Sequence, residues 1–115
     1  MKIIFLDDER VPSDVTWVKY PEAEFVVVRT LGQFMEAIDH AFLNGEKFGV
    51  SFDHDIQQFG HDGEITGKTC AIHLCNTHYD EYMEEDFPEY WVHSMNPVGA
   101  ANIRHWIEGY KLFVE

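Results

Sequence analysis

Positive charge is scarce in this chain: eight lysines and arginines stand against 21 aspartates and glutamates, for a formal net charge of −13. That deficit argues against a protein that grips long nucleic acid by its phosphates, which takes clustered Lys and Arg. It suits a divalent cation, plain solubility, or an acidic surface offered to a basic partner. Cysteine is nearly absent as well. Cys70 and Cys75 stand five apart in a helical stretch, so their side chains point in different directions and read as packing thiols. No apolar run approaches the roughly 20 residues of a membrane span. The first residues also lack the charged, apolar and small-residue pattern of a signal peptide, so a cytoplasmic protein without a membrane partner is the expectation. Internal repeats, low-complexity segments and a second domain are likewise missing. Residues 1–115 are read as one domain, and with 45% hydrophobic and 15% aromatic residues it can bury a core without staples.

Against these absences stand four short apolar runs. Ile3–Leu6 and Phe48–Phe52 are continuous, as in strands covered on both faces, and Glu24–Arg29 contains the β-branched run Val26–Val28. Tyr90–His93 reads as the fourth strand. Helical signals lie between them. Thr30 with Gln33 has the form of a capping box before Phe34, Ile38, Ala41 and Phe42, and Gly45 closes that helix. Thr66 can cap a helix through Ala71, Ile72 and Cys75. Asn96 and Pro97 open another that carries Ile103, Trp106, Ile107 and Tyr110. The segment Arg10–Glu22, with its turn residues, reads as a short or degenerate first helix, Ile56–Gly67 as a polar loop, and Lys111–Glu115 as either a short fifth strand or a tail. Strands alternating with helices imply an α/β fold around a mostly parallel sheet of four to five strands with right-handed crossovers.

Three of the strands end on polar groups. Ile3–Leu6 runs into Asp7, Asp8, Glu9 and Arg10; Gly49–Phe52 runs into Asp53, His54 and Asp55; Tyr90–Val92 runs into His93 and Ser94. Ligands of open α/β sheets bind beyond the carboxyl ends of the strands, so these endings are the candidate site. Asp7, Asp8 and Asp53, with Asp55 beside them, are the candidate ligands of a hard cation, Mg²⁺ or Mn²⁺, which takes oxygen ligands together with a substrate phosphate. His93 and His54 are the candidate general acid–base groups, and strand alternation points His54 away from the face that Asp53 uses. Ser94 and the helix start at Asn96 offer donors to an anion, and Gly99 keeps that first turn small enough for a ligand to approach. Arg10 either neutralises the acidic pair or reaches a phosphate oxygen, and Arg104 is a weaker phosphate candidate. Gly63–Thr69 mimics a phosphate-binding P-loop, but Asp62 occupies the place of its first glycine and would repel the phosphates. His61, His73 and His78 lack zinc-ligand spacing and are read as surface or loop residues.

In their order, the acidic pair Asp7–Asp8, Asp53 and Ser94 resemble the landmarks of response-regulator receiver domains. More specifically, Leu6–Arg10, Phe52–Asp55, Thr66–Gly67 and the run His93-Ser94-Met95-Asn96-Pro97-Val98-Gly99 resemble the cyclic-phosphate processing receiver domains of bacteria and phages, over nearly the whole chain. The resemblance implies a receiver or flavodoxin-like three-layer sandwich with helices on both faces of the sheet. It implies work on a cyclic phosphate, such as a cyclic nucleotide or a 2′,3′-cyclic RNA end, by metal-dependent hydrolysis of the phosphoester. The lysine that receivers carry after strand five has no clear counterpart here. Two other readings accompany this one. A receiver-like module would bind a nucleotide without cleaving it or be phosphorylated on Asp53, and an acidic interaction protein would meet a basic partner, such as a host protein met by a phage factor.

Overall fold

Strand β1 (Lys2–Leu6) is one of the two inner strands of the sheet. In the computed structural model, which describes residues 1–115, it is followed by β2 (Glu24–Val28), α1 (Leu31–Leu43) and β3 (Phe48–Phe52). The short β4 (Gln58–Gly60) and β5 (Gly63–Ile65), α2 (Gly67–Glu81), β6 (Glu89–Val92) and α3 (Pro97–Val114) complete the chain. Four strands pair in parallel in the order β2-β1-β3-β6, so the first crossover carries the chain to one edge and later ones to the other. Register is uniform. Leu6 is level with Val28 on one side and Phe52 on the other, and Phe52 is level with Val92.

One face of this sheet presents Ile4, Leu6, Val28, Val50, Phe52 and Val92. The buried sides of all three helices join those residues in a single cluster of 19. Helix α1 enters it through Phe34, Ile38, Ala41 and Phe42, which recur at helical spacing. Its start is held by the Thr30 cap, whose Oγ1 accepts the Gln33 amide, but the expected capping box is only half formed, because Gln33 Oε1 accepts the amide of Arg29 and not that of Thr30. Cys70 and Cys75 are buried, unpaired packing residues of α2.

The opposite face, with Ile3 and Phe5, is covered without a helix. Segment 10–23 forms one 3₁₀ turn at Pro12–Asp14 and then lies across the sheet, with Tyr20 edge-on to Phe25 and to Trp91 at 5.4 and 5.5 Å. Helices on both faces are thus not found: all three helices lie on one face and this strap is the third layer, and the proline and serine-aspartate turn signals explain why no regular helix forms there.

Three local expectations are corrected. Residues Lys111–Val114 continue α3 and form no fifth strand. Tyr110 holds that helix to His78, and Lys111 lies within 4.0 Å of Glu108 one turn back. Ile56–Gly67 is not all loop: β4 and β5 form a small antiparallel hairpin, turning where Gly63 takes a φ of 120°. His78 is not a surface residue. It is 3% exposed, its Nδ1 lies 2.6 Å from the Tyr110 hydroxyl, and its Nε2 donates to the Glu85 carbonyl at 2.7 Å. No helix is long and apolar enough to cross a membrane.

Candidate active site

The parallel ladder runs one step past the strands. Asp7 N–H donates to Val28 O at 3.1 Å, Asp53 N–H to Leu6 O at 2.9 Å, and His93 N–H to Phe52 O at 3.0 Å. Asp7, Asp53 and His93 therefore occupy one row across the sheet, and residues of one row share a face. All three are buried, and their potential ligand atoms lie within 4.8 Å of one another. The convergence expected of the strand ends is realised by these three side chains.

Asp7 is the most tightly held. Its Oδ1 accepts the Glu9 and Arg10 amides at 2.9 and 2.8 Å, as short polar side chains do when they close a turn, while Oδ2 faces His93 Nε2 at 3.0 Å. Burial by itself would raise its pKa, but the bonds from His93 and from the two amides prevail and hold the carboxyl down to about 2. Asp53 has the opposite balance. Burial, then the negative charge of Asp7, pushes its carboxyl up, against a single amide bond from His54 to Oδ1. Asp8, next to Asp7 in the chain, is half-buried and is not one of the three residues whose ligand atoms converge; it is also pushed up, by burial and by the neighbouring Asp7 and Glu9.

His93 is fully buried, stacked on Phe5 at 4.4 Å, and both ring nitrogens are engaged, Nε2 with Asp7 and Nδ1 with Ser51 Oγ at 2.7 Å. His54 differs. Its Nδ1 meets Asp55 Oδ1 at 2.8 Å, and its Nε2 has no protein partner. Asp55 is accordingly turned away from the Asp7–Asp53 cluster. It accepts from the Asn96 amide group at 3.1 Å, and its bonds to His54 and Asn96 lower its pKa.

The start of α3 is occupied by protein. Asn96 Oδ1 accepts the Gly99 amide at 3.0 Å as an N-cap, and a Cβ on Gly99 would overlap the His54 ring. The small residue at position 99 thus makes room for His54, not for a ligand on the backbone as expected. Ser94 stays half-buried, and its Oγ accepts the Asn96 amide at 3.2 Å. Arg10 lies 3.7 Å from Asp7 Oδ2, with its guanidinium over the Trp17 ring at 5.4 Å. Arg104 reaches only the Val92 carbonyl, at 3.4 Å.

Sequence reasoning missed four residues. Ser51, the single polar side chain of β3, is fully buried against His93, and a polar residue inside an apolar strand is the signal that could have found it. Arg29, just past β2, donates to the carbonyls of Asp7 and Arg10 at 2.9 and 2.7 Å, so the fourth strand end joins the other three. Trp17 Nε1 donates to the His93 carbonyl at 2.9 Å, and the Tyr20 hydroxyl lies 2.6 Å from Ser51 Oγ. Nothing in the strap's sequence marks these two.

No curated protein and no solved structure matches the chain. A family model does: the cyclic-phosphate processing receiver domain aligns with residues 2–109, which span every strand of the sheet and most of α3. With that match across the acidic row and the His93–Gly99 run, the chain belongs to the cyclic-phosphate processing receiver domain family.

Proposed function

We propose that this protein hydrolyses a phosphoester of a cyclic phosphate, such as a cyclic nucleotide or a 2′,3′-cyclic RNA end, with the help of a divalent cation. The observation that carries the reading is the row formed by Asp7, Asp53 and His93, two carboxylates and an imidazole within 4.8 Å at the carboxyl end of a parallel sheet. The donor set fits a cation. Asp53 is pushed up by burial and by Asp7, a repulsion that a positive ion relieves, and half-buried Asp8, the residue after Asp7, would turn in as a third carboxylate. Asp53, Asp7 and Asp8 would hold Mg²⁺ or Mn²⁺. Such an ion, when bound, supplies Lewis-acid polarisation of a phosphoryl oxygen.

The protein's own groups do the rest. Arg10 and Ser94 bind phosphate oxygens from the rim. His54, next to Asp53 in the chain with Nδ1 held by Asp55 and its ring against Gly99, is the imidazole with a nitrogen left free of protein partners. It would move the proton to or from a reacting oxygen that extends from the row toward the start of α3. His93, buried with both nitrogens engaged, orients Asp7. Phosphorylation of Asp53 has less support. Lys111, the one lysine after β6, lies on α3 by Glu108 and over the Tyr90 ring, toward the starting ends of the strands.

The test is ³¹P NMR of 2′,3′- and 3′,5′-cyclic nucleotides with and without Mg²⁺ or Mn²⁺, using wild type, Asp53→Asn and His54→Ala. A monoester signal that requires the cation, vanishes in Asp53→Asn and slows about 10²–10⁴-fold in His54→Ala is expected. Line broadening of one nucleotide without a monoester signal would replace hydrolysis by binding.

A further inference from the structure

Ser51 sits in a strand that otherwise consists of glycine, valine and phenylalanine, and a hydroxyl buried there needs partners. It has two. His93 Nδ1 lies 2.7 Å from its Oγ on one side and the Tyr20 hydroxyl 2.6 Å on the other. Beyond the imidazole, Nε2 lies 3.0 Å from Asp7 Oδ2. Tyr20, Ser51, His93 and Asp7 thus form an unbroken hydrogen-bonded chain from the strap to the carboxylate row. Phe5 seals it from below, and Phe25 and Trp91 hold the Tyr20 ring edge-on.

The direction of this chain follows from what each group can do. An ionised carboxylate only accepts, so the nitrogen facing Asp7 carries the proton. A neutral imidazole then has its lone pair at Nδ1, where the Ser51 hydroxyl is the one donor within reach. Having given its single proton to His93, Ser51 accepts from Tyr20. We propose that Ser51 and Tyr20 are positioning residues of the site, holding His93 as the Nε2–H tautomer and thereby fixing the Asp7 carboxylate beside Asp53. The strap gains a reason as well. It grips His93 twice, at the ring through Tyr20 and Ser51 and at the carbonyl through Trp17, a grip that a regular helix in that place would have to supply from other residues.

The consequence for cation binding and turnover rests on the phosphoesterase reading, whereas the tautomer does not. Long-range ¹H–¹⁵N correlation of the histidine rings at neutral pH reads the tautomer directly in wild type, Ser51→Ala and Tyr20→Phe. The expected wild-type pattern for His93 is a protonated Nε2 and a bare Nδ1. Ser51→Ala leaves Nδ1 without its donor and should move the Nδ1 resonance strongly, while Nε2 keeps the proton that faces Asp7. Tyr20→Phe removes one oxygen from a half-buried ring and should move the Nδ1 resonance without exchanging the tautomer, which keeps the test decisive if Ser51→Ala does not fold. Both variants should bind Mn²⁺ about 10–100-fold more weakly, as loss of an outer hydrogen-bond partner does elsewhere. A proton on Nδ1 in the wild type, alone or together with Nε2, overturns the proposal, as does a His93 pattern that neither variant changes. A wild type that binds no Mn²⁺ and cleaves nothing would remove the phosphoesterase reading and leave the tautomer result standing.

Discussion

Asp7 and Asp53 lie side by side, yet their environments pull their ionisation in opposite directions. The Asp7 carboxyl is held at about 2, below its ordinary value of 3.8, so its bonds stabilise the fold above the ordinary value and are lost as the pH falls through 2. At neutral pH that contribution is roughly 2 kcal/mol. Asp53 is raised, so the folded state holds its proton more tightly than the unfolded one. Its stabilising contribution is present in acid and disappears as the pH rises through the raised value. Chemical denaturation in the presence of a chelator should therefore separate the two residues at neutral pH. Asp7→Asn should lose roughly 2 kcal/mol or more, because His93 and two amides lose a charged acceptor. Asp53→Asn should gain about 0.5–2 kcal/mol, the common cost of a functional group released. The same sign for both variants would show that the balance of burial and hydrogen bonds is misjudged. At this scale the sequence disclosed Asp7 and Asp53, because charged residues that end apolar strands stand out. It did not disclose Ser51 and Tyr20, whose meaning arises from a contact across 31 positions.

At the scale of elements, two helices reach the site by close approach to the end of β3. The Gly67 amide donates to the His54 carbonyl at 2.7 Å, and a Cβ at position 67 would overlap the Asp53 carbonyl oxygen. At Gly99 the overlap is with the His54 ring, a side chain that can swing aside. Gly67→Ala should accordingly cost roughly 3 kcal/mol or more, since backbone must move, and Gly99→Ala about 1–3 kcal/mol, with His54 displaced. Thermal denaturation gives the order of the two costs, and a Gly99→Ala cost equal to or above that of Gly67→Ala would contradict this packing. The caps at Thr30 and Asn96 were legible because a capping side chain acts within three residues. The strap, the hairpin and the last turn of α3 were less so. Strands of three residues leave too few positions to show alternation, and the apolar pair Leu112–Phe113, exposed on a helix, has the composition of a strand.

For the whole molecule, the parallel alternation of strands and helices made the fold class readable. The uniform register that places three strand ends in one row had to be seen. Charge is the other property of this scale. Two of the chain's three arginines, Arg10 and Arg29, lie at the strand ends, Arg10 beside the Asp7 carboxylate and Arg29 on the backbone carbonyls of Asp7 and Arg10. The remaining excess of acid is spread over the surface, and a net charge of −13 on 115 residues repels itself in the folded state. Two effects of cations can thus be told apart. Raising sodium chloride screens the surface and should stabilise wild type and Asp53→Asn alike, by about 1 kcal/mol or roughly 4 °C in Tm. Millimolar Mn²⁺ at matched ionic strength adds a site-specific gain that follows ligand concentration over Kd, and this gain belongs to the wild type alone. Lowering the pH through the raised Asp53 pKa should abolish the Mn²⁺ gain while leaving the sodium effect in place, because the proton and the ion compete for one carboxylate. An equal Mn²⁺ shift in wild type and Asp53→Asn would assign the ion to the acidic surface and remove it from the row of Asp7, Asp53 and His93.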